Sequence, residues 1–137
     1  MNTRAALLLS SAAIVALVAA CATSPTGRRT LKLFPEGQMA QMGAAAYAET
    51  KNNSKASSNK RESAYVACVS KQLTDIAGGD WEVTLFDDDS ANAFALPGGK
   101  IGVHTGLLKV AETPGQLAAV IGHEIAHVQA GHANERV

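Results

Sequence analysis

The sequence has little cysteine and no excess of charge of either sign, and both shortages exclude classes of protein. Cysteine occurs only at Cys21 and Cys68 among 137 residues, which is too few for a small domain held together by disulfide bonds. Twelve basic residues balance twelve acidic ones, and Lys and Arg form no long stripe. Nucleic-acid binding therefore has no support in the composition, and the function has to reside in individual motifs.

The N-terminal residues have the pattern of a bacterial secretion signal that ends in a lipid-attachment site. Residues 1–4 are short and positive, and the apolar run at residues 5–20 is too short and too weakly flanked for a transmembrane helix. Small residues lead directly into Cys21, which resembles a lipobox with acyl chains on the cysteine thiol and amine. Ala22 is typical of sorting to the outer membrane. We expect a periplasm-facing outer-membrane lipoprotein of a Gram-negative bacterium; the alternatives are an uncleaved anchor or an ordinary signal with a chance cysteine.

Two helices are predicted in the first half of the remaining chain, after a tether whose end docks on the domain. The first spans about residues 36–51. The second spans residues 60–77, and Gly78 and Gly79 end it. Its apolar face consists of four residues at helical spacing: Val66, Val69, Leu73 and Ile76. Cys68 lies in the same helix, and we expect its thiol to be buried.

The periodicity then changes to that of β-strands. Alternating apolar residues predict a strand at residues 81–85. The acidic residues 87–90 are expected to form a solvated loop, because they lack the alternating ligands and the glycine of a calcium loop. Two β segments, at residues 92–96 and 101–104, flank a Pro-Gly-Gly-Lys turn, which predicts a hairpin.

The strongest motif is His-Glu-Ile-Ala-His at residues 123–127. Residues four apart share one face of a helix, so His123 and His127 can present two imidazole nitrogens to one Zn²⁺ ion. Glu124 follows one step round the helix, where it can reach a metal-bound water as general base. Such a catalytic site also requires a third protein ligand and an open position for water.

The helix that carries the motif has a well-defined start. Thr113 is a good N-cap, Pro114 suits the first helical position and Gln116 completes a capping box. Apolar residues then occupy nearly all sides of the helix, which predicts that it is buried and holds the imidazoles rigidly. The competing interpretation is a buried helix with these residues by chance, but it would bury three ionisable groups without partners.

The other two histidines are weaker candidates. His132 lies nine residues after His123, about half a turn out of register on one helix, so it is not a ligand unless the helix breaks at Gly131. We predict that His132 packs beside the ligands or hydrogen-bonds to them, with a direct metal contact as the alternative. His104 is expected to be a structural or surface histidine.

Several segments together resemble the HtpX and CAAX-prenyl-protease family of zinc metalloendopeptidases. These are Asn-Ala-Phe-Ala-Leu-Pro-Gly-Gly at residues 92–99, Gly-Leu-Leu at 106–108, and Gly-His-Glu-Ile-Ala-His-Val at 122–128 followed by His132. The lipobox and Thr-Gly-Arg-Arg at residues 26–29 resemble the periplasmic lipoprotein (LoiP-like) branch. Many families share the metal motif alone, and the hairpin sequence before it is far more specific.

The resemblance implies an α+β, gluzincin-like zinc metallopeptidase fold with N-terminal helices, a small β-hairpin or sheet, and an active-site helix. The implied domains are a signal peptide at residues 1–20, a lipidated tether at 21–34, and the N-terminal part of a catalytic domain at 35–137. The fold is expected to be truncated at its C-terminus, because the third ligand would be a glutamate on a later helix. His123 and His127 would bind Zn²⁺, with Glu124 as the catalytic general base.

The implied activity is cleavage of misfolded or envelope proteins in the periplasm, by attack of zinc-activated water. The segment at residues 92–96 is expected to lie along the cleft and to pair with the backbone of an extended protein or peptide substrate. The candidate substrate-binding residues are Asn92, Ala93, Phe94, Gly98 and Gly99. The other expected partner is the membrane, through lipidated Cys21. The alternative function is a catalytically incomplete lipoprotein that acts only as a binding or assembly module.

Overall fold

The computed structural model of the protein describes residues 21–23, 27 and 29–135, so the predicted signal peptide lies outside the described residues. Within them the chain is α+β, as predicted. The helices α1 to α4 are Glu36–Asn53, Lys60–Ala77, Pro114–Gln129 and His132–Glu135. The strands β1 to β5 are Cys21–Thr23, Arg29–Leu31, Glu82–Phe86, Ala93–Leu96 and Lys100–His104, and a 3₁₀ helix follows at Thr105–Lys109. None of the described helices combines the length and the apolar character that a bilayer span requires.

A three-stranded sheet lies at the centre of the fold. β4 and β5 form the predicted hairpin, with Ala93 opposite Val103 and Leu96 opposite Lys100. β3 pairs with β5 in parallel, with Glu82 opposite Lys100, and the sequence pattern did not predict this pairing. The strand order is β3-β5-β4, so β4 is an edge strand in the described part of the chain.

The alternation of side chains along the strands assigns the two faces of the sheet to different helices. On one face, Leu85, Ile101 and Val103 are buried together with residues of α2 and α3. On the other face lies α1, whose Tyr47 hydroxyl is 2.7 Å from Thr84 Oγ1. The ring of Tyr47 stands edge-on to Phe86 at 6.3 Å between centroids. The helix that carries the metal motif is thus held against a sheet that is covered on both sides.

Two burial predictions for α2 are wrong, and helical geometry explains both. The buried side of this helix runs through Val66, Val69, Ser70, Leu73 and Ala77. Cys68 lies two positions from both Val66 and Ser70, so it points to the opposite side of the helix and is exposed. Ile76 is 87% exposed, because Ala77 rather than Ile76 continues the buried stripe in the last turn.

The prediction that α3 is buried on nearly all sides is also wrong. Its buried residues form one stripe: Leu117, Ile121 and Ile125. Ala119, Ala126 and His123 are exposed. Exposing an alanine to water costs little free energy because its apolar surface is small. An alanine-rich helix therefore looks apolar on all sides in the sequence, although only its large apolar side chains need to be buried.

Gly43 marks the closest approach of α1 to the turn between β4 and β5. It is buried, and a Cβ at this position would clash with the backbone carbonyl of Pro97. We expect Gly43→Ala to lower the free energy of unfolding by about 1–3 kcal/mol, the usual cost of overpacking. Gly37→Ala in the first turn of the same helix meets nothing within 4 Å and should not destabilise the protein. Urea unfolding followed by circular dichroism measures both; equal effects would contradict the close approach.

Candidate metal centre

The start of α3 is fixed by the predicted capping box. Thr113 Oγ1 accepts a hydrogen bond from the Gln116 amide at 3.2 Å, and Gln116 Oε1 accepts one from the Thr113 amide at 3.0 Å. Pro114 occupies the first turn. The cap sets where the helix begins and the stripe of large apolar residues sets its rotation, so together they determine which way the histidines face.

His123 and His127 converge on one point. Their Nε2 atoms are 2.8 Å apart, and their ring centroids are 4.3 Å apart. Two nitrogen atoms directed at a common position form a donor set that suits Zn²⁺, which takes neutral imidazole nitrogen. Nitrogen atoms on a tetrahedral zinc ion lie about 3.3 Å apart, so a separation of the rings by about half an ångström converts this pair into a chelate.

Glu124 lies on the same side of the helix as His127, and both line one cleft of about 310 Å³. Its side chain is half-buried, which leaves the carboxylate open to a bound water or peptide. Among the residues that the structure describes, no three or more His, Cys, Asp or Glu side chains form a group able to hold a metal ion. The described chain therefore brings together two candidate ligands and a candidate general base.

A break in the helix brings His132 to the two convergent histidines. Gly131 has φ 73°, a left-handed conformation that glycine adopts easily, and α4 begins at the next residue. The Nδ1 atoms of His132 and His127 are 2.6 Å apart, so one imidazole donates a hydrogen bond to the other. The half-turn offset expected for an unbroken helix does not apply. His127 thus directs Nε2 towards His123 and Nδ1 towards His132.

The wall of the cleft opposite α3 comes from the end of β4. Its residues are Ala95, Leu96 and Pro97. The sequence predicts residues 92–96 along the cleft, a segment that includes Ala95 and Leu96, but none of these three is among the candidate substrate-binding residues. The signal that identifies them is the packing of α3 against β4, which is a property of the fold rather than of the motif.

The five residues predicted to bind substrate lie elsewhere on the hairpin, and their role stays a prediction. Asn92 is exposed, and its carbonyl accepts a hydrogen bond from the His104 amide at 3.0 Å. Ala93 is buried in the core. Phe94 lies over Gly102 on the face of the sheet that α1 covers.

The two turn glycines, Gly98 and Gly99, contact backbone rather than the metal centre. Gly98 approaches Ala40 of α1 and lines a second cavity, of about 290 Å³, that shares Pro97 with the cleft. Gly99 lies against the backbone of Asp80. Both have positive φ, 86° and 72°, so the turn depends on glycine for its shape.

His104 belongs to a separate cluster at the far end of β5. Its Nδ1 lies 2.7 Å from the Ser90 hydroxyl and 3.5 Å from Asp88 Oδ1. Hydrogen bonds from Ser90, through its side chain and then its backbone amide, hold the pKa of Asp88 below its ordinary value. Asp89 pairs with Lys109 at 2.6 Å on the surface. The acidic loop is therefore organised by local hydrogen bonds and ion pairs, and His104 is one of its structural partners.

Comparison with known proteins finds metallopeptidases. Mitochondrial metalloendopeptidase OMA1 of Schizosaccharomyces pombe is 40% identical over 76 residues, covering 53% of this chain and 23% of that protein. Metalloendopeptidase OMA1 of Danio rerio is 35% identical over 116 residues, covering 77% of this chain and 24% of that protein. The beta-barrel assembly-enhancing protease of Escherichia coli K12 is 42% identical over 48 residues, covering 35% of this chain and 10% of that protein. The chain thus spans between a tenth and a quarter of the length of these relatives.

A family model, that of peptidase family M48, matches residues 53–137. The matched segment includes α2, the whole three-stranded sheet and the helix with both convergent histidines. Since the match covers more than half of the chain, the protein belongs to peptidase family M48.

Proposed function

We propose that this chain supplies the metal-binding helix and the general base of a zinc metalloendopeptidase. Within family M48 we assign it to the HtpX and CAAX-prenyl-protease type, with a gluzincin-like fold, and to the periplasmic lipoprotein (LoiP-like) branch. One observation carries the activity: the Nε2 atoms of His123 and His127 are 2.8 Å apart on the helix that also presents Glu124 to the cleft. The relatives' names, metalloendopeptidase and protease, support the same chemistry.

Each residue of the motif has a distinct task in this proposal. His123 and His127 would hold Zn²⁺ through their Nε2 atoms. Zinc, when bound, supplies a Lewis acid that polarises the scissile carbonyl and lowers the pKa of water. Glu124 accepts the proton of the attacking water and delivers it to the leaving amine. His132 holds the ring of His127 through their Nδ1 atoms, as hydrogen-bond partners of metal-binding histidines commonly do.

The edge of β4 is the proposed recognition surface for an extended polypeptide. In the described residues this strand pairs only with β5, so its other edge is available for backbone hydrogen bonds. Ala95 and Leu96 of this strand, and Pro97 after it, line the same cleft as Glu124 and His127. A peptide on this edge therefore passes the base and the ligands. In this proposal recognition by residues 93 and 94 operates through the backbone, because Ala93 is buried in the core and the Phe94 side chain lies over Gly102.

The proposed substrates are misfolded or envelope proteins of the bacterial periplasm. The N-terminal sequence supports this location, because an apolar run and small residues precede Cys21. We propose that Cys21 is lipidated and anchors the protein to the outer membrane. The similarity to a protease of Escherichia coli whose name refers to β-barrel assembly is consistent with an envelope substrate.

Removal of metal provides the test. Dialysis against a chelator is expected to abolish cleavage of an unfolded model protein, and one equivalent of Zn²⁺ is expected to restore it, since the chemistry requires the Lewis acid. Mg²⁺ should not restore activity, because it prefers oxygen ligands. A rate that is unchanged in the metal-free protein would contradict the proposal.

A second candidate function is a binding or assembly module without catalysis. It is favoured by the absence of a third ligand among the described residues. Zinc binding without cleavage, in the same experiment, is the outcome that supports this second function over the first.

A further inference from the structure

We propose that Asn134 is a positioning residue of the metal centre, which fastens α4 to the N-terminal segment and thereby holds His132 against His127. The inference rests on the proposed function, because the position of His132 affects metal binding only if His127 is a metal ligand. The contacts that carry it are independent of any metal.

The Asn134 side chain joins two distant parts of the chain. It is 5% exposed, and its Oδ1 accepts hydrogen bonds from the amides of Leu33 at 2.9 Å and Phe34 at 3.1 Å. Its Nδ2 donates to the Phe34 carbonyl at 2.8 Å. The side-chain amide accepts two hydrogen bonds and donates one, which fixes its orientation. Loss of these bonds would leave buried polar atoms without partners and would destabilise the folded protein. The three bonds therefore specify how α4 sits on the residues that follow β2.

The helix α4 needs such an attachment. It has only four residues, and a single helical turn is unstable on its own. Gly131, with its left-handed φ of 73°, separates α4 from α3, so the direction of α4 does not follow from the direction of α3. The Asn134 contacts with Leu33 and Phe34 supply the missing constraint.

The position of α4 matters for the metal ligand because His132 is its first residue. The Nδ1 atoms of His132 and His127 are 2.6 Å apart. When His127 donates from Nδ1–H, its Nε2 is left with a free lone pair that faces His123. That is the tautomer in which imidazole binds a metal, and the partner of the other ring nitrogen selects it. Asn134 thus acts on His127 through His132.

The first test is made on the full-length, metal-free protein. Long-range ¹H–¹⁵N NMR of the histidine rings reports which nitrogen of neutral His127 carries the proton. We expect Nδ1–H in the native protein and a mixture of tautomers in Asn134→Ala. Asn134→Asp keeps the two bonds in which the side chain is the acceptor but places a carboxylate oxygen against the Phe34 carbonyl. This variant is also expected to show a mixture of His127 tautomers.

A matched control is available at the end of α3. Gln129 Nε2 donates to the Ala77 carbonyl at 3.1 Å, so Gln129→Ala removes a comparable side-chain tie that does not involve α4. We expect the His127 tautomer in this variant to be native. Thermal melts by circular dichroism show that each variant is folded before its spectrum is compared. A native tautomer in folded Asn134→Asp or Asn134→Ala overturns the proposal.

The second readout is the affinity for Zn²⁺, measured by competition with a chromophoric chelator. His132→Ala is expected to weaken binding about 10- to 100-fold, and Asn134→Ala about 3- to 10-fold. In the His132→Ala background, Asn134→Ala should cause no further loss, because both changes interrupt one chain of contacts. Equal losses in both backgrounds overturn the positioning role. A shifted tautomer in a protein that binds no Zn²⁺ in any form supports Asn134 while it refutes the proposed function.

Discussion

Glu124→Gln is expected to reduce the rate of peptide cleavage at least about 100-fold while the affinity for Zn²⁺ stays close to native. Glutamine has nearly the same shape as glutamate but cannot accept the proton of the attacking water, and general bases typically contribute 10²- to 10⁴-fold to rate. Glu124 is not one of the two proposed ligands, so in this proposal its charge is not needed to hold the metal. Cleavage of an unfolded model protein and a zinc titration on the same preparation measure the two effects.

The matched control for this experiment is Glu112→Gln. Glu112 is an exposed glutamate just before the capping residue of the same helix, so it undergoes the same chemical change outside the cleft. Its activity and zinc affinity are expected to be native. Native cleavage by Glu124→Gln would remove Glu124 from the proposed role, whatever the control shows.

His127→Ala is expected to weaken Zn²⁺ binding by more than about 100-fold. Loss of a partner that only orients a ligand costs about 10- to 100-fold, and His127 is placed as a ligand in its own right. The substitution also releases both neighbours of the ring, since His127 contacts His123 through Nε2 and His132 through Nδ1. Competition with a chelator measures the affinity.

His104→Ala is the control for this second prediction. His104 is also half-buried, but it contacts Ser90 and Asp88 at the end of β5. Its replacement should leave zinc affinity unchanged, even where it lowers stability. If the His127→Ala variant bound one equivalent of Zn²⁺ with native affinity, His127 would be excluded as a ligand.

Features that depend on local chemistry could be predicted from the sequence. The bounds of α2, at 60 and 77, follow from its periodicity and from the two glycines after it. The start of α3 follows from the Thr-Pro-Gly-Gln cap, and the hairpin follows from Pro-Gly-Gly. In each case the deciding interactions lie within a few residues, so the sequence contains nearly all the information required.

Features that depend on distant contacts could not be predicted. The parallel pairing of β3 with β5 joins segments whose strand patterns give no sign of direction. The sequence predicted that His132 lies beside the two histidines, but the geometry of its contact with His127 depends on the left-handed conformation of Gly131. The Asn134 contacts reach residues about 100 positions earlier in the chain, and no periodicity indicates them. The motif therefore predicted the candidate ligands, whereas the contacts that orient them required the fold.

The central claim is that His123 and His127 together bind one zinc ion, and X-ray absorption at the zinc edge tests it most directly. The zinc-loaded protein is expected to show two imidazole nitrogens at about 2.0–2.1 Å, and His123→Ala and His127→Ala are each expected to remove one of them. A spectrum without imidazole ligation, or one that survives replacement of both histidines, would contradict the claim.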